Sequence, residues 1–168
     1  MDLDLTVPRE ETKERFCEVV RLHSGAMFRT ARALTGSDAD AEDAVGEAVL
    51  RAWQSYGALR DPLAVRAWLL KITANCAREQ YRKTGRLIPV DTLETAAPER
   101  DADAAQDLWQ AVNRLPRDQR AAVVLFYYED LTLAQIAPIL GVAQGTVKSR
   151  LSRARARLRV LLDEEEEI

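Results

Sequence analysis

The sequence predicts an all-α protein made of two small helical domains joined by a flexible acidic linker. Three observations lead there. Apolar residues recur at spacings of three and four along most of the chain, and the alternation expected of strands is absent. Alanine, leucine, arginine and glutamate recur throughout, whereas aromatics make up only 6% of the 168 residues, with 7 glycines and 6 prolines; such a composition favours helices. Finally, the stretch LIPVDTLETAAPERDAD (87–103) carries two prolines, small residues and mostly negative charge, without helical periodicity, and separates two helical sets.

The first helix shows Phe16, Val19/Val20, Met27/Phe28, Ala31 and Leu34 on one stripe. Gly36 ends it, and Ser37 or Asp38 caps the next, with acids in its first turn. That second helix runs to about Trp53 and places Ala41, Val45, Val49 and Trp53 on one face. QSYGALRDP interrupts the pattern. Asp61 then caps a third helix with Pro62 at its first position, where the missing N–H costs nothing. It continues to about Lys83 with Val65, Leu69, Ile72 and Cys76 as its apolar stripe, Trp68 beside them, and a polar, basic end. Beyond the linker, helices are expected over 104–114 and, after Leu115-Pro116, over 117–129. The predicted organisation is an acidic extension (1–14), a first domain (15–86), the linker (87–103), a second domain (104–162) and an acidic tail (163–168).

Thr132 with Gln135 three residues on forms a capping box for the next helix, whose apolar face is Leu133, Ile136, Ala137 and Leu140. Pro138 lies inside it, where proline removes a hydrogen bond and clashes with the carbonyl of Ala134; a kink or tighter geometry is expected. Gly141 ends the helix in the left-handed conformation, Val142 packs back on the core, and a last helix starts near Ala143 or Gln144. Helix, glycine turn, helix is the layout of a helix-turn-helix. The last helix carries Val147, Leu151, Ala154, Leu158 and Leu161 on its core stripe, and Lys148, Arg150, Arg153, Arg155, Arg157 and Arg159 elsewhere. Gly145, Thr146, Ser149 and Ser152 keep its N-terminal half slim. Small residues that approach base edges and long cations that hold phosphates suit a helix entering the major groove. With no acid from Gln144 to Leu162, pairing within the helix cannot explain this composition.

The net charge of −3 and pI of about 5.3 conceal this segregation. DNA responds to the field within roughly 8 Å at physiological salt, so the local basic patches at Arg78–Arg86 and Lys148–Arg159 matter more than the sum. Cys17 and Cys76 are far apart and His23 is the single histidine, so no metal site, disulfide framework or cofactor is expected. Both cysteines are read as buried apolar residues, and His23 as a helix residue without a catalytic role. The acidic start is no signal peptide, and no apolar run approaches the ~20 residues needed to span a membrane. A cytoplasmic protein without membrane insertion is expected. No nucleophile–base constellation or phosphate-binding glycine loop marks an enzyme.

Two separated segments resemble one family. MFRTARALTGSDADAEDAVGEAVLRAW, with RAWLLKITANCAREQYRK, is similar to region 2 of the extracytoplasmic-function (group 4) sigma-70 factors of bacterial RNA polymerase. LWQAVNRLPRDQRAAVVLFYYEDLTLAQIAPILGVAQGTVKSRLSRARARL resembles their region 4. The resemblance implies a non-enzymatic subunit that binds core polymerase and directs initiation by recognising −35 and −10 promoter elements and melting the latter. Asp40, Glu42, Asp43 and Glu47 would dock on the clamp helices of the large subunit. Tyr56, Lys71, Asn75, Arg78, Arg82 and Lys83 would bind the −10 element, Tyr56 near a flipped base. Thr146, Lys148, Ser149, Ser152 and Arg153 would enter the −35 major groove, with Arg150 and Arg155 nearer phosphates. Ala121–Tyr128 would build the second core and help present a face to the flap of the other large subunit, and the linker would thread toward the RNA exit path. An anti-sigma factor is an expected further partner.

Two departures stand out. Gly46 replaces a glutamine common in relatives, costing up to about 1 kcal/mol of helix stability relative to alanine and removing an expected polymerase contact. Val49 replaces an aromatic. Alternatives are a polymerase-independent helix-turn-helix regulator binding operators, and a sigma-like decoy that sequesters an anti-sigma factor. The first needs no region 2 match; the second could dispense with both basic surfaces.

Overall fold

The computed structural model describes residues 9–59, 61–84 and 104–166. The linker over 87–103, most of the acidic extension and the last two residues of the tail lie outside them. The helices are α1 (Arg9–Thr35), α2 (Asp38–Ser55), α3 (Val65–Thr84), α4 (Ala104–Asn113), α5 (Arg117–Val123), α6 (Leu133–Leu140) and α7 (Gln144–Glu166). Helices α1–α3 pack on one another as a first module, and α4–α7 form a second.

In the first module Gly36 takes φ 85° and frees the chain to reverse. Ser37 Oγ accepts the Asp40 N–H at 3.2 Å and starts α2. The buried face of α2 is Ala41, Ala44, Ala48 and Ala52, not the expected Ala41–Val45–Val49–Trp53 stripe. Val45 and Val49 sit half-buried beside it, and Trp53 is 38% exposed. The four alanines let α2 approach α1 and α3 closely, and Met27, Leu69 and Leu70 fill the space between. Thr30 and Thr73 are buried without an unpaired hydroxyl, because each donates to the carbonyl four residues back, Ala26 at 2.8 Å and Leu69 at 2.7 Å. Asp61 accepts the Leu63 N–H at 3.0 Å. It caps a 3₁₀ turn over Pro62–Ala64, and the α-helix itself starts at Val65.

In the second module the expected helix over 117–129 changes character. After α5 the backbone widens into a π-turn over Val124–Tyr128 that closes with the Glu129 N–H on the Val124 carbonyl at 3.1 Å. Asp130 follows at φ 54°, a left-handed position that a short polar side chain tolerates. Thr132 and Gln135 form the expected capping box. Thr132→Ala should cost about 1 kcal/mol, measured as a lower denaturant midpoint with unchanged slope. Pro138 is exposed, and α6 runs on past it to Leu140 and ends at Gly141, φ 69°. Helix α7 buries Val147, Leu151, Ala154 and Leu161, with Leu158 half-buried, as its spacing dictates. It extends through Glu166, four residues past the expected end of the domain. No helix of the described residues is long and apolar enough to cross a membrane.

Candidate nucleic-acid interface

Most of the basic face of α7 is open. Thr146, Lys148, Ser149, Ser152, Arg153 and Arg155 are exposed and share the surface of α7 opposite its buried stripe. Arg150 differs: its side chain is 20% exposed and lies 3.9 Å from Asp118 of α5. It is turned toward its own module. Arg155 donates from Nε to the Tyr127 hydroxyl at 2.7 Å, which leaves its two terminal nitrogens for an anion. Along a straight helix Asp163 stands about 22 Å from Lys148, so its carboxylate is held away from the N-terminal half of the basic surface.

On α3, Lys71, Asn75 and Arg82 form one exposed stripe with Arg78 at its edge and Lys83 beside it. Arg78 is half-buried and hydrogen-bonds Asn75 Oδ1 and the Ile139 carbonyl of α6, the latter at 3.2 Å. Tyr56 is a packed residue: its ring lies 5.1 Å from Phe16 edge-on and 6.5 Å from Trp68. On α2, Glu42, Asp43 and Glu47 are exposed. Asp40 is not equivalent to them, because its carboxylate accepts from Gln80 and Thr84 at 3.4 and 3.3 Å and ties the end of α3 to α2. Arg51 bridges Glu47 (3.1 Å) and Glu79 (2.7 Å), and its hydrogen bond holds the Glu79 carboxyl below the ordinary range.

The most buried charge lies between the modules. Glu129 is 0% exposed. Arg29 of α1 donates from Nε to Oε1 at 2.5 Å and from Nη2 to Oε2 at 3.2 Å. Arg66 of α3 donates to Oε2 at 2.7 Å and to the Glu129 carbonyl. Two further arginines cross in the opposite direction. Arg117 Nε and Arg120 Nε cap the last carbonyls of α1, Leu34 at 2.7 Å and Ala33 at 2.6 Å, where the helix dipole is negative. Arg117 also stacks 4.0 Å over the Tyr81 ring. Arg120 is 5% exposed, and burial among like charges lowers its guanidinium to about 10, still charged at neutral pH.

Sequence reasoning missed Arg29, Arg66, Arg117, Arg120 and Glu129. The available signal was Arg120, which stands three and four residues before Val123 and Val124 on the apolar face of its helix. Half-buried His23 is lowered below its ordinary value by burial and then by Arg66. The unfolded chain therefore binds a proton there that the folded chain resists, so stability present above pH ~6.5 is lost progressively as pH falls below that value and through the lowered folded one. His23→Gln should reduce the fall in melting temperature between about pH 7.5 and 5.5.

The sequence matches the models of Sigma-70 region 2 over residues 19–87 and of Sigma-70 region 4 over residues 105–158. It is 38% identical over 151 residues to the ECF RNA polymerase sigma factor SigM of Mycobacterium tuberculosis, covering 88% of this chain and 76% of the relative. It is 30% identical over 161 residues to the RNA polymerase sigma factor SigV of Bacillus subtilis, covering 94% and 97%. Among solved structures, the sigma factor RpoE in complex with the anti-sigma factor NepR from Bartonella quintana superposes with a TM-score of 0.75 at 31% identity, over 89% of this chain and 98% of that one. CnrH in complex with the cytosolic domain of CnrY gives 0.64 at 27% identity, over 90% of each.

Proposed function

The chain belongs to the extracytoplasmic-function group of sigma-70 RNA polymerase sigma factors and directs RNA polymerase to promoters, and on that premise we propose how its surfaces divide the work. The single observation that carries the reading is the exposed face of α7, free of acids from Gln144 to Leu162, beside the buried stripe of Val147, Leu151, Ala154 and Leu161. Thr146, Lys148, Ser149, Ser152 and Arg153 read the −35 major groove, and Arg155, oriented by Tyr127, holds a phosphate. Lys71, Asn75, Arg82 and Lys83 receive the −10 strand, joined by Arg78 once it leaves Ile139. Tyr56 works from within its aromatic cluster, as one wall for an extruded base. Glu42, Asp43 and Glu47 present negative charge to the clamp helices of core polymerase, while Asp40 and Arg51 hold that surface in shape. The two modules correspond to residues 15–86 and 104–162. An anti-sigma factor is the further partner; the similarity to two complexes, one with the anti-sigma factor NepR, supports it.

Gly46 sits on the exposed face of α2 between Asp43 and Glu47, and a Cβ there meets no atom within 4 Å. Gly46→Ala should raise stability by up to about 1 kcal/mol, and Gly46→Gln should in addition tighten binding to core polymerase, measured by fluorescence anisotropy.

The test of the whole reading is transcription by purified core polymerase, with and without this protein, over upstream fragments from its own genome. Start sites appearing only with the protein support it, and Lys148→Ala with Arg153→Ala should abolish them. Duplex binding without initiation favours an operator-binding regulator, and neither activity favours a decoy.

A further inference from the structure

We infer that the seam where α3 meets α5 and α7 is a binding recess for an oligophosphate, a short chain of phosphates either free or carried by a nucleotide, held by Arg78, Arg82, Arg117 and Arg150. These arginines come from both modules, and a series of contacts places them side by side. Arg117 of α5 lies 4.0 Å over the ring of Tyr81, which adjoins Arg82 and stands three residues after Arg78 on α3. Arg150 of α7 stands 3.9 Å from Asp118, the residue next to Arg117. Arg78 in turn reaches across the seam to the Ile139 carbonyl at 3.2 Å. The recess goes beyond the promoter reading and does not rest on it, because Arg117 and Arg150 have no part in that reading.

Little balances these four charges. Asp118 faces Arg117 and Arg150, but its pair with Arg150 is longer than a hydrogen bond. Glu79 lies in the field of Arg82 and is turned to Arg51 at 2.7 Å. Burial, and after it Arg117 and Arg82, lowers the Arg78 guanidinium. Burial also lowers Arg117, with Arg82 and Arg150 adding to the effect and Asp118 opposing it. Packed positive charges without full compensation favour an anion that meets several of them at once. Donors remain for it. Arg117 spends Nε on the Leu34 carbonyl, and Arg78 spends Nη2 on Asn75 and Ile139. That leaves the two terminal nitrogens of Arg117 and the Nε and Nη1 of Arg78, in planar forks that match phosphate oxygens.

The shape of the seam selects a short anion over a nucleic-acid strand. Arg78, Arg117 and Arg150 are half-buried, so they line a recess, whereas a duplex lies along exposed side chains such as those of α7. A few linked phosphates carry several charges in a small volume and enter where a strand does not. Because its contacts come from both modules, the ligand binds their packed arrangement and stabilises it further as its concentration rises above the dissociation constant.

The test is isothermal titration calorimetry on the full chain with sodium triphosphate, with ATP free of divalent metal, and with sodium sulfate, all at one ionic strength. Saturable binding of one triphosphate per chain is expected, with sulfate clearly weaker. Arg82 is exposed and Arg150 has only the long pair with Asp118, so Arg82→Gln and Arg150→Gln should keep the fold, as circular dichroism would check. Each should weaken triphosphate binding roughly three- to tenfold. Arg157→Gln removes the same charge from the exposed surface of α7 and should leave binding unchanged. ATP binding at least as tightly as triphosphate assigns the recess to nucleotides, and weaker binding of ATP assigns it to inorganic chains. The recess is overturned if triphosphate does not saturate or if sulfate binds equally well. It is equally overturned if Arg157→Gln weakens binding as much as Arg82→Gln and Arg150→Gln, which leaves a diffuse field only. A mixed-sequence single-stranded oligonucleotide that loses as much affinity through Arg150→Gln as triphosphate does would make the seam a nucleic-acid track and also sink the proposal.

Discussion

Replacing Glu129 by alanine is expected to split the thermal unfolding of the chain into two transitions and to loosen the contact between its modules. The carboxylate is fully buried and is met by Arg29 and Arg66. Breaking a fully buried pair costs about 3–5 kcal/mol. Here the arginine side chains keep 39% and 34% of their surface exposed, so water replaces part of the lost interaction and roughly 2–3 kcal/mol is expected. Neither module loses any atom of its own apolar core. The cost therefore falls on the coupling between them, visible in calorimetry as two peaks where the parent gives one, and in small-angle scattering as a larger radius. One sharp transition at the parental temperature would count against this account of how the modules are held.

The second large effect is expected from Arg153→Ala. Arg153 is exposed on α7 beside Ser149 and Ser152, with no ion pair described for it. If it reaches a guanine edge, its loss costs about 1–3 kcal/mol, roughly five- to 150-fold in −35 affinity, and relaxes preference at one base pair. If it reaches a phosphate, affinity falls alike for all sequences and the salt slope drops by about 0.9. A binding series on point-substituted duplexes at two salt concentrations tells the two apart. Arg150→Ala should behave differently, because Arg150 is turned toward Asp118 at 3.9 Å. Its loss should touch DNA affinity little.

What the sequence makes legible here is what short-range chemistry decides. The Thr132–Gln135 box, the left-handed Gly36 and Gly141 and the core stripe of α7 each depend on neighbours a few residues away, and each stands where its pattern places it. The face of α2 was not legible for a specific reason. Valines and a tryptophan at spacing four look more like a core than a row of alanines, yet close helix packing selects the smaller side chains, and Ala44, Ala48 and Ala52 are the buried ones. The π-turn at Val124–Tyr128 lies inside an unbroken apolar run, Ala121–Tyr128, that reads as continued α-helix. Glu129 itself reads as an ordinary surface acid before a turn. Its partners lie 63 and 100 residues away, beyond the reach of any periodicity. The exposed basic surface of α7 was accessible to sequence reasoning, whereas the residues that cover Arg78 were not.

The separation between Arg66 and Glu129 also sets a schedule. A chain leaving the ribosome from its N-terminus completes α1, α2 and α3 before any of the second module exists. Glu129 follows Arg66 by 63 residues, and at usual synthesis rates that gap lasts roughly 3–13 s. During those seconds the nascent first module carries Arg29 and Arg66 without their counter-charge, and the last carbonyls of α1 wait for Arg117 and Arg120. The buried carboxylate thus marks a moment in the life of each molecule: until it arrives, the newborn protein is open, positively charged on that face, and beside ribosomal RNA.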